Sequence, residues 1–386
     1  MIKIEKIKFR TILNSAGKKT FEIELLDSTG IKAYASSPSA IIPGKREVMT
    51  TNDFNDYLIN DLTNEISSTW IENQEMFDTL LNKYINKIGS NICLSLSLAF
   101  ARIMSQKEQI SLVEYIAKIA NYKTKYITPK PLVTIFSGGL HDTKNRQTIQ
   151  NIMLSVNVTP FSKAINPILE IYTDIEKQLL LKGYSASSGM IVENITTDEK
   201  FEIVLNTIKK LGYEEKVTIA IDVAAEHFFS DNMYVYEGKK LTSEQLETIL
   251  TNYKNKYHLT YIEDPFAPND EKFWKKFKEK NSQIAIIGDD LFATQNQYIN
   301  LDLANGIIIK MNQVGTLTGT IKTFMQAKQE KLITCVSHRS IETEDTFMCD
   351  LAVALDADYI KIGGPRRGDR IIKYNQLLRL EEEIKQ

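Results

Sequence analysis

Residues 217–370 constrain the fold most, because short apolar runs recur there and each run ends in a polar or charged residue. Segments with the apolar spacing of helices lie between these runs. Short runs of β-branched or apolar residues that alternate with helices are typical of parallel strands joined by crossover helices. The residues at the ends of the runs are Asp222, Glu263, Asp289, Lys310, His338 and Lys361.

The spacing of these residues indicates a repeated β/α unit. From Glu263 onward they follow one another at intervals of 21 to 28 residues, which suits one strand and one helix each. The step from Asp222 to Glu263 is 41 residues, so this unit carries an insertion. Ionisable residues at the carboxyl ends of successive parallel strands converge only if the sheet closes. The pattern therefore predicts a β/α barrel whose active site lies on that face.

Three of these residues form a predicted metal site. A single acid after a strand is usually a helix cap or a solvated loop residue, but Asp222, Glu263 and Asp289 are expected at the same rim. Buried carboxylates that lie close together repel one another, and a divalent cation relieves that repulsion. Ligands that are all oxygen favour a hard ion, so we expect magnesium.

Composition limits the classes of function. A chain of 386 residues is too long for one ordinary core, so one large and one small domain are expected. The net charge of −2 leaves no basic field for nucleic acid. Since no apolar run approaches the roughly 18 residues that span a bilayer, no membrane partner is expected. The three cysteines lack metal or disulfide spacing, which favours a reducing, cytoplasmic location.

Residues 1–125 are predicted to form the smaller domain, and residues 126–386 the barrel. Three segments near the amino terminus alternate with period two and predict an antiparallel meander. An aperiodic loop at 36–47 follows, which is either a plain connection or a lid over another domain. Three helical segments are then predicted over 52–67, 71–88 and 90–120. A meander followed by helices is an α+β module.

Several motifs carry a resemblance to a known family. They are IEDPF (262–266), GDDL (288–291), KMNQVGTLT (310–318), SHRSIETEDTF (337–347) and KYNQLLRLEEE (373–383). On these motifs the chain resembles the enolases along nearly its whole length. The resemblance implies an α/β fold, with an enolase-like (β/α)8 barrel whose strand order varies at its start and an N-terminal α+β cap domain. It also implies magnesium, a homodimer and a small phosphorylated carboxylic acid as substrate. Enolases are lyases of glycolysis that eliminate water from 2-phosphoglycerate to give phosphoenolpyruvate.

The resemblance also assigns roles residue by residue. Lys310 corresponds to the lysine that removes the carbon-bound proton, and desolvation and neighbouring cations can lower the pKa of such a lysine towards neutrality. Arg339 and Ser340 correspond to the pair that binds phosphate. Further positions that match catalytic or substrate-binding residues are His141, Gln150, His338 and Lys361, and the metal triad stands at Asp222, Glu263 and Asp289. For the two histidines, a purely structural hydrogen-bonding role remains an alternative.

The chain differs from the family at the positions that give a proton to the leaving hydroxide. The two glutamates that deliver this proton in enolases correspond to Asn151 and Ser187. Neither side chain is a carboxylic acid. Asp142, beside His141, is a possible substitute acid. In the predicted lid, Ile42 replaces the hydroxyl that helps to hold a second magnesium ion, so we expect that ion to bind weakly or not at all.

Three hypotheses for function follow from these matches and losses. The first is an enolase-superfamily enzyme with altered chemistry, in which magnesium-assisted removal of a proton next to a carboxylate is kept and elimination is impaired. The second is a non-catalytic homologue that binds a phospho-acid or a protein partner as a sensor or scaffold. The third is a genuine enolase that tolerates the changes.

Overall fold

The structure is a computed structural model. It describes residues 1–39, 44–51, 56–139, 147–184, 192 and 195–384. Four positions discussed above, Ile42, His141, Asp142 and Ser187, lie outside the described residues. The described chain forms an N-terminal domain with an antiparallel sheet and helices, followed by a closed eight-stranded barrel.

The N-terminal sheet has three antiparallel strands in sequential order, as the alternating pattern predicts. They are β1 (Ile4–Leu13), β2 (Lys19–Asp27) and β3 (Lys32–Ser36). The turn between β2 and β3 is held by Asp27, whose carboxylate accepts the backbone N–H groups of Thr29 at 2.9 Å and Ile31 at 2.8 Å. Such an Asx turn satisfies backbone donors that a tight loop leaves without partners.

In the described part of the chain, five helices follow the sheet, and the two longer predicted helical segments are each split. The helices are α1 (Asp56–Ser68), α2 (Gln74–Asn82), α3 (Ile85–Ile88), α4 (Ser90–Glu108) and α5 (Leu112–Ile119). The break before α5 is caused by local chemistry: Gln109 adopts a left-handed conformation, and Ser111 and Glu114 form a capping box that starts a new helix. The first four turns of α4 are almost wholly buried, as its apolar sequence predicts.

The remaining strands build the barrel and one small sheet. In chain order they are β4 (Lys130–Ser137), β5 (Asn151–Val156), β6 (Val217–Asp222), β7 (Phe229–Ser230), β8 (Met233–Tyr236), β9 (Lys239–Leu241), β10 (Tyr261–Glu263), β11 (Ala285–Gly288), β12 (Gly306–Ile309), β13 (Ile333–Ser337) and β14 (Tyr359–Lys361). Strands β7, β8 and β9 form an antiparallel meander, which is the insertion that the 41-residue step predicts. The other eight close in the order β10-β11-β12-β13-β14-β4-β5-β6.

One barrel strand runs against the other seven. Strand β5 is antiparallel to both of its neighbours, β4 and β6, whereas every other neighbouring pair is parallel. The first residue of β5 therefore lies at the rim where the other strands end. In the ladder Asn151 stands opposite Ser137, the last residue of β4, and opposite Asp222, the last residue of β6.

Helices cover the outside of the barrel. In chain order they are α6 (Phe161–Leu181), α7 (Thr197–Lys210), α8 (Ser243–Tyr257), α9 (Glu271–Lys280), α10 (Met311–Val314), α11 (Leu317–Gln329), α12 (Phe347–Ala354) and α13 (Gly368–Ile384). The single-turn α10 is the exception, because the amide of its Gln313 lies 3.5 Å from Asp289 Oδ1 at the rim. Inside, the barrel is filled by inward-facing side chains of neighbouring strands, among them Leu132, Met153, Tyr261 and Ile308. Among the helices that the structure describes, none combines the length and apolar character needed to cross a membrane.

Buried polar contacts join the N-terminal domain to the barrel. The Asp78 carboxylate in α2 accepts the N–H of Thr318 at 2.9 Å and thereby caps the start of α11. Arg102 in α4 donates to both carboxylate oxygens of Asp345, each at 2.8 Å, in the loop before α12. Burial acts to raise the pKa of Asp345, but the charge of Arg102 and the N–H of Phe347 outweigh it, so this pKa lies below its usual range.

The pair between Arg102 and Asp345 generates a stability prediction. We expect Asp345→Asn to lower the free energy of unfolding by about 3 kcal/mol at neutral pH, because it leaves a largely buried guanidinium without its anion. The pKa of Asp345 is lower in the folded chain than in the unfolded chain, where it is 3.8. The extra stability of the wild type over the variant is therefore fully present above pH 3.8 and disappears as the pH falls through the lower pKa of the folded chain. Urea unfolding followed by circular dichroism over this pH range measures both effects.

A matched control is Asp302→Asn, which removes an exposed aspartate that pairs with Lys275 at 3.1 Å. Exposed pairs contribute about 0–1 kcal/mol, so this variant should unfold close to the wild type. Equal losses in the two variants would contradict a specific role for the interdomain pair.

Candidate active site

Closure of the barrel places six ionisable residues on one rim. Three of them are the last residues of their strands, and three follow directly after a strand. The strand ends carry Asp222, Glu263 and Lys361, and the following positions carry Asp289, Lys310 and His338. Because the strands that carry these residues are parallel and closed into a barrel, the side chains converge at their carboxyl ends.

Lys361 is the centre of the rim's charge pairing. Its ammonium group donates to Asp222 Oδ2 at 2.8 Å and to the two oxygens of Glu263 at 2.9 and 3.0 Å. All three side chains are buried. Burial alone would lower the pKa of Lys361, but the charges of Asp222 and Glu263 outweigh it and hold this pKa well above the ordinary value of 10.5. Lys361 is therefore charged.

One ammonium group does not balance two buried carboxylates. Burial and the charge of Asp222 raise the pKa of Glu263 to about 8, although Lys361 acts against them. The pKa of Asp222 lies below its usual value, because Lys361 outweighs the effect of burial. The two acids thus compete for the same positive charge, and Glu263 is the one that holds a proton more readily.

Lys310 forms the second charge pair of the rim. Its ammonium group is bonded to Asp289 Oδ2, and its backbone N–H donates to Thr294 Oγ1 at 2.9 Å. The lowering of the pKa of Lys310 by burial and neighbouring cations is opposed here by its contact with Asp289. Burial does act in that direction, but the charge of Asp289 outweighs it and raises the pKa above 10.5.

Asp264 is a rim residue whose role sequence reasoning missed. It follows Glu263 with a φ of 42°, a left-handed conformation that non-glycine residues seldom adopt. Its carboxylate accepts the backbone N–H groups of Asp289 at 2.9 Å and Asp290 at 2.8 Å. Asp264 therefore holds the loop after β11 and orients Asp289. The signal was the second acid of the IEDPF motif.

The acids of the rim offer two groupings for a cation. Among the residues that the structure describes, Asp264, Asp289 and Asp290 form the one set of three acids whose ligand atoms all lie within 4.8 Å of one another. The predicted triad of Asp222, Glu263 and Asp289 is more open than this, with Lys361 between its first two members. Asp264 already accepts two backbone hydrogen bonds, so we expect it to support the site rather than to bind the ion.

The donor set fits a magnesium ion. The triad is buried and offers oxygen atoms only, which suits a hard divalent cation. The raised pKa of Glu263, which burial and the charge of Asp222 cause, is in keeping with such an ion. A cation bound by Asp222, Glu263 and Asp289 would supply positive charge there.

Two amides stand where the antiparallel strand meets the rim. Gln150 Nε2 and Asn151 Nδ2 each donate to Asp222 Oδ2 at 3.0 Å. Asn151 Oδ1 also accepts the hydroxyl of Ser137 at 3.4 Å. Both amides thus support a rim carboxylate through N–H donation, and neither has a proton to give to a leaving group.

The arginine expected to bind phosphate is already paired. Arg339 donates from Nη1 and Nη2 to the two oxygens of Glu47, both at 2.9 Å, and Nη1 also donates to Asn312 Oδ1 at 3.2 Å. Glu47 belongs to the N-terminal domain. The sequence placed it at the end of the predicted loop 36–47 and indicated no contact with Arg339. Ser340 follows Arg339, and its backbone carbonyl accepts a hydrogen bond from Arg370 at 3.2 Å.

His338 is half-buried and follows directly after β13. Burial and the neighbouring cations Arg370 and Lys361 lower its pKa well below 6.5, so this imidazole is neutral. Its backbone N–H donates to the carbonyl of Lys361 at 2.9 Å, which ties the loop after β13 to β14.

Comparisons with known proteins agree with this architecture. The family model for the enolase N-terminal domain matches residues 4–116, and the model for the enolase C-terminal TIM barrel domain matches residues 125–386. A protein of Sulfurisphaera tokodaii named enolase is 32% identical over 405 aligned positions, which cover 99% of this chain and 96% of that protein. The chain belongs to the enolase family. The barrel that carries the rim residues, with β5 antiparallel to its neighbours, is thus the barrel of an enolase-family protein.

Not every residue expected from the enolase resemblance falls in the described part of the chain. Lys310, Lys361, Arg339 and the three predicted metal ligands gather at the rim, with Asn151 beside them. His141 and Ser187 lie outside the described residues, as do Asp142 and Ile42. The predictions for these positions stay predictions.

The enolase-like rim generates a prediction about metal. Calorimetric titration with magnesium, in the presence of a substrate analogue, should reveal one strong site. Glu263→Gln should weaken this site by at least about 100-fold, because loss of an outer-shell partner alone costs about 10–100-fold and Glu263 is predicted to bind the ion itself.

Glu247→Gln is the matched control. Glu247 is also a buried glutamate paired with two lysines, Lys276 and Lys280, but it lies on the outer helix α8. Its loss should leave magnesium affinity unchanged. Two equally tight ions in the wild type, or no effect of Glu263→Gln, would contradict the prediction.

Proposed function

We propose that this enolase-family protein binds magnesium and a small phosphorylated carboxylic acid, removes the proton next to the carboxylate, and is impaired in the dehydration of 2-phosphoglycerate. The observation that carries the proposal is the contact between Asn151 and Asp222 at the barrel rim. An amide that supports a carboxylate stands where the family resemblance places a general acid.

Lys310 is the proposed base. It lies half-buried at the rim and is bonded to Asp289. A charged ammonium group accepts no proton, so Lys310 acts as a base only when its pairing with Asp289 is relieved. Magnesium, when bound by the triad, supplies positive charge that neutralises Asp289 and the carboxylate of the ligand. Removal of the proton should therefore depend on magnesium.

Arg339 is the proposed anchor for the phosphoryl group, together with Ser340. A guanidinium fork matches the geometry of phosphate oxygens, and burial strengthens the interaction. Lys361 is proposed to contact the carboxylate end of the ligand, since it lies beside Asp222 and Glu263. His141, His338 and Gln150 are proposed as further substrate contacts from the resemblance.

The departure of hydroxide is the step that should limit the reaction, because the chain lacks the general acids that would assist it. Hydroxide is a poor leaving group, and help from a general acid typically contributes about 10²–10⁴-fold to the rate. Asn151 offers an amide, and Ser187 a hydroxyl, in place of the two glutamates. An intermediate formed by Lys310 would then regain its proton more often than it loses hydroxide.

Two alternatives each have one observation in their favour. A non-catalytic homologue that binds a ligand or a protein as a scaffold is favoured by the pairing of Lys310 and of Arg339 with acids of the chain itself. A genuine enolase of glycolysis is favoured by the 32% identity to a curated enolase across almost the whole chain. We also propose that the protein is cytoplasmic, since its three buried cysteines are free, and that it is a homodimer, as the resemblance implies. Each chain would consist of an N-terminal domain over 1–125 and a barrel domain over 126–386.

The proposal predicts exchange without elimination. In heavy water with magnesium and 2-phosphoglycerate, the wild type should incorporate deuterium at the α-carbon, seen by NMR, while little phosphoenolpyruvate forms. Asn151→Glu should raise dehydration, because a carboxyl group beside Asp222 is held in its protonated form by like-charge repulsion. Adding Ser187→Glu should raise it much further, since two groups that act as a unit are not additive.

Asn151→Gln is the control, because it lengthens the side chain without adding an acid. It should dehydrate no faster than the wild type. Turnover by the wild type near the roughly 10 s⁻¹ of ordinary enzymes would instead establish a genuine enolase. Tight ligand binding with neither exchange nor elimination would favour the non-catalytic homologue.

A further inference from the structure

The Arg339 guanidinium is occupied by an anion that belongs to the chain itself. Glu47 accepts two parallel hydrogen bonds from Arg339, each 2.9 Å long. The exposed fractions of the two side chains are 3% for Glu47 and 5% for Arg339, so the pair is screened very little by solvent. A bidentate pair of this kind uses the same fork that would bind two oxygens of a phosphoryl group.

Glu47 is also tied to the rest of the rim. Its Oε1 accepts the N–H of Gly44 at 2.9 Å and the Nε2 amide of Gln313 at 3.2 Å. The same amide lies 3.5 Å from Asp289 Oδ1, and Asp289 holds the proposed base Lys310. A continuous line of polar contacts thus runs from Arg339 through Glu47 and Gln313 to the proposed metal ligand.

Glu47 is carried by a short segment, residues 44–48, that contacts several loops of the barrel. Lys45 pairs with Glu226 at 2.6 Å in the loop after β6, and the Arg46 guanidinium lies 4.6 Å from the ring centre of Tyr298. The Val48 N–H donates to the carbonyl of Gln313 at 3.1 Å.

Gly44 completes the fit of this segment against the rim. A Cβ atom at this position would lie 3.0 Å from Asp290 Oδ1 and 3.2 Å from Glu47 Oε1, which is tighter than most real contacts. A glycine therefore permits the close approach of segment 44–48 to the loop after β11.

The charges decide what Glu47 does to an incoming anion. The Arg339–Glu47 pair carries no net charge as a whole, and a phosphoryl group brought against the guanidinium would meet the Glu47 carboxylate. Like charges set side by side in a desolvated site cost several kcal/mol of binding free energy. The same pair also keeps Arg339 from standing buried and unpaired when no ligand is bound.

We propose that Glu47 is a specificity-determining residue that competes with the ligand for Arg339, so that a phosphoryl group binds only by displacing the Glu47 carboxylate. This inference rests on the proposed function in taking Arg339 as the phosphate anchor. Displacement breaks the contacts of Glu47 with Gly44 and Gln313, and it thereby couples occupancy of the anion site to segment 44–48. An anion that makes no other contacts at the rim, such as inorganic phosphate, is excluded most effectively.

The test compares the binding of inorganic phosphate to the wild type and to Glu47→Gln by calorimetry. Glutamine keeps the size of the side chain and removes its charge. We expect phosphate to bind Glu47→Gln at least about tenfold more tightly, because the like charge is gone and Arg339 lacks its internal anion. The double variant Glu47→Gln/Arg339→Ala should lose this gain completely, which places the effect at the guanidinium.

Glu226→Gln is the matched control. It also removes one acid that fastens segment 44–48, but Glu226 contacts Lys45 rather than Arg339. Phosphate affinity should change little in this variant. An equal gain in Glu226→Gln would show that any loosening of the segment is sufficient, and it would overturn the specific role of Glu47. Circular dichroism spectra and melting temperatures establish that each variant is folded.

The remaining outcomes are also decisive. Unchanged or weaker phosphate binding in Glu47→Gln would make Glu47 a residue that positions Arg339, and the proposal would be wrong. Binding of phosphate by neither protein would show that Arg339 is not an anion site, which again overturns it. The assay requires no turnover, so a failure of the proposed proton chemistry leaves its result unaffected. Unchanged binding in Glu47→Gln would overturn only the role of Glu47, whereas phosphate binding by neither protein would also remove Arg339 as the anchor of the proposed function.

Discussion

The pairing of buried charges at the carboxyl ends of the barrel strands is the interaction on which the rest of the site depends. Closing the sheet brings Asp222, Glu263 and Asp289 to one rim, out of water, where their mutual repulsion must be balanced. Lys361 and Lys310 supply that balance through direct contacts. Two lysines face three carboxylates, and burial together with the charge of Asp222 raises the pKa of Glu263.

The reversed strand β5 explains why an early motif belongs to this rim. In a fully parallel barrel the first residue of a strand lies at the opposite face from the site. Because β5 is antiparallel to β4 and β6, its first residue, Asn151, lies beside Asp222. The identity of this one residue therefore bears directly on the chemistry of the rim, and an amide there supports a neighbouring acid rather than serving as one.

The N-terminal domain contributes to the site as well as to stability. Its helices fix the barrel loops through Asp78 and Arg102, and its segment 44–48 reaches the rim itself. The Arg339 guanidinium is paired with Glu47, which stands 292 residues earlier in the chain. The enolase architecture thus places the candidate anion site at the junction of the two domains, where a contact between the domains and a contact with a ligand use the same side chain.

The sequence by itself determined the barrel, its insertion and the residues at the strand ends, because periodic apolar runs and their spacing are local signals. The family motifs determined which of these residues to compare with a catalytic set. Only the tertiary structure decided which groups touch. Asp264 supports the loop that carries Asp289, Glu47 occupies Arg339, and Asp289 raises the pKa of Lys310 against the effect of burial. Such outcomes depend on distances and burial between residues remote in the chain, and no local pattern records them.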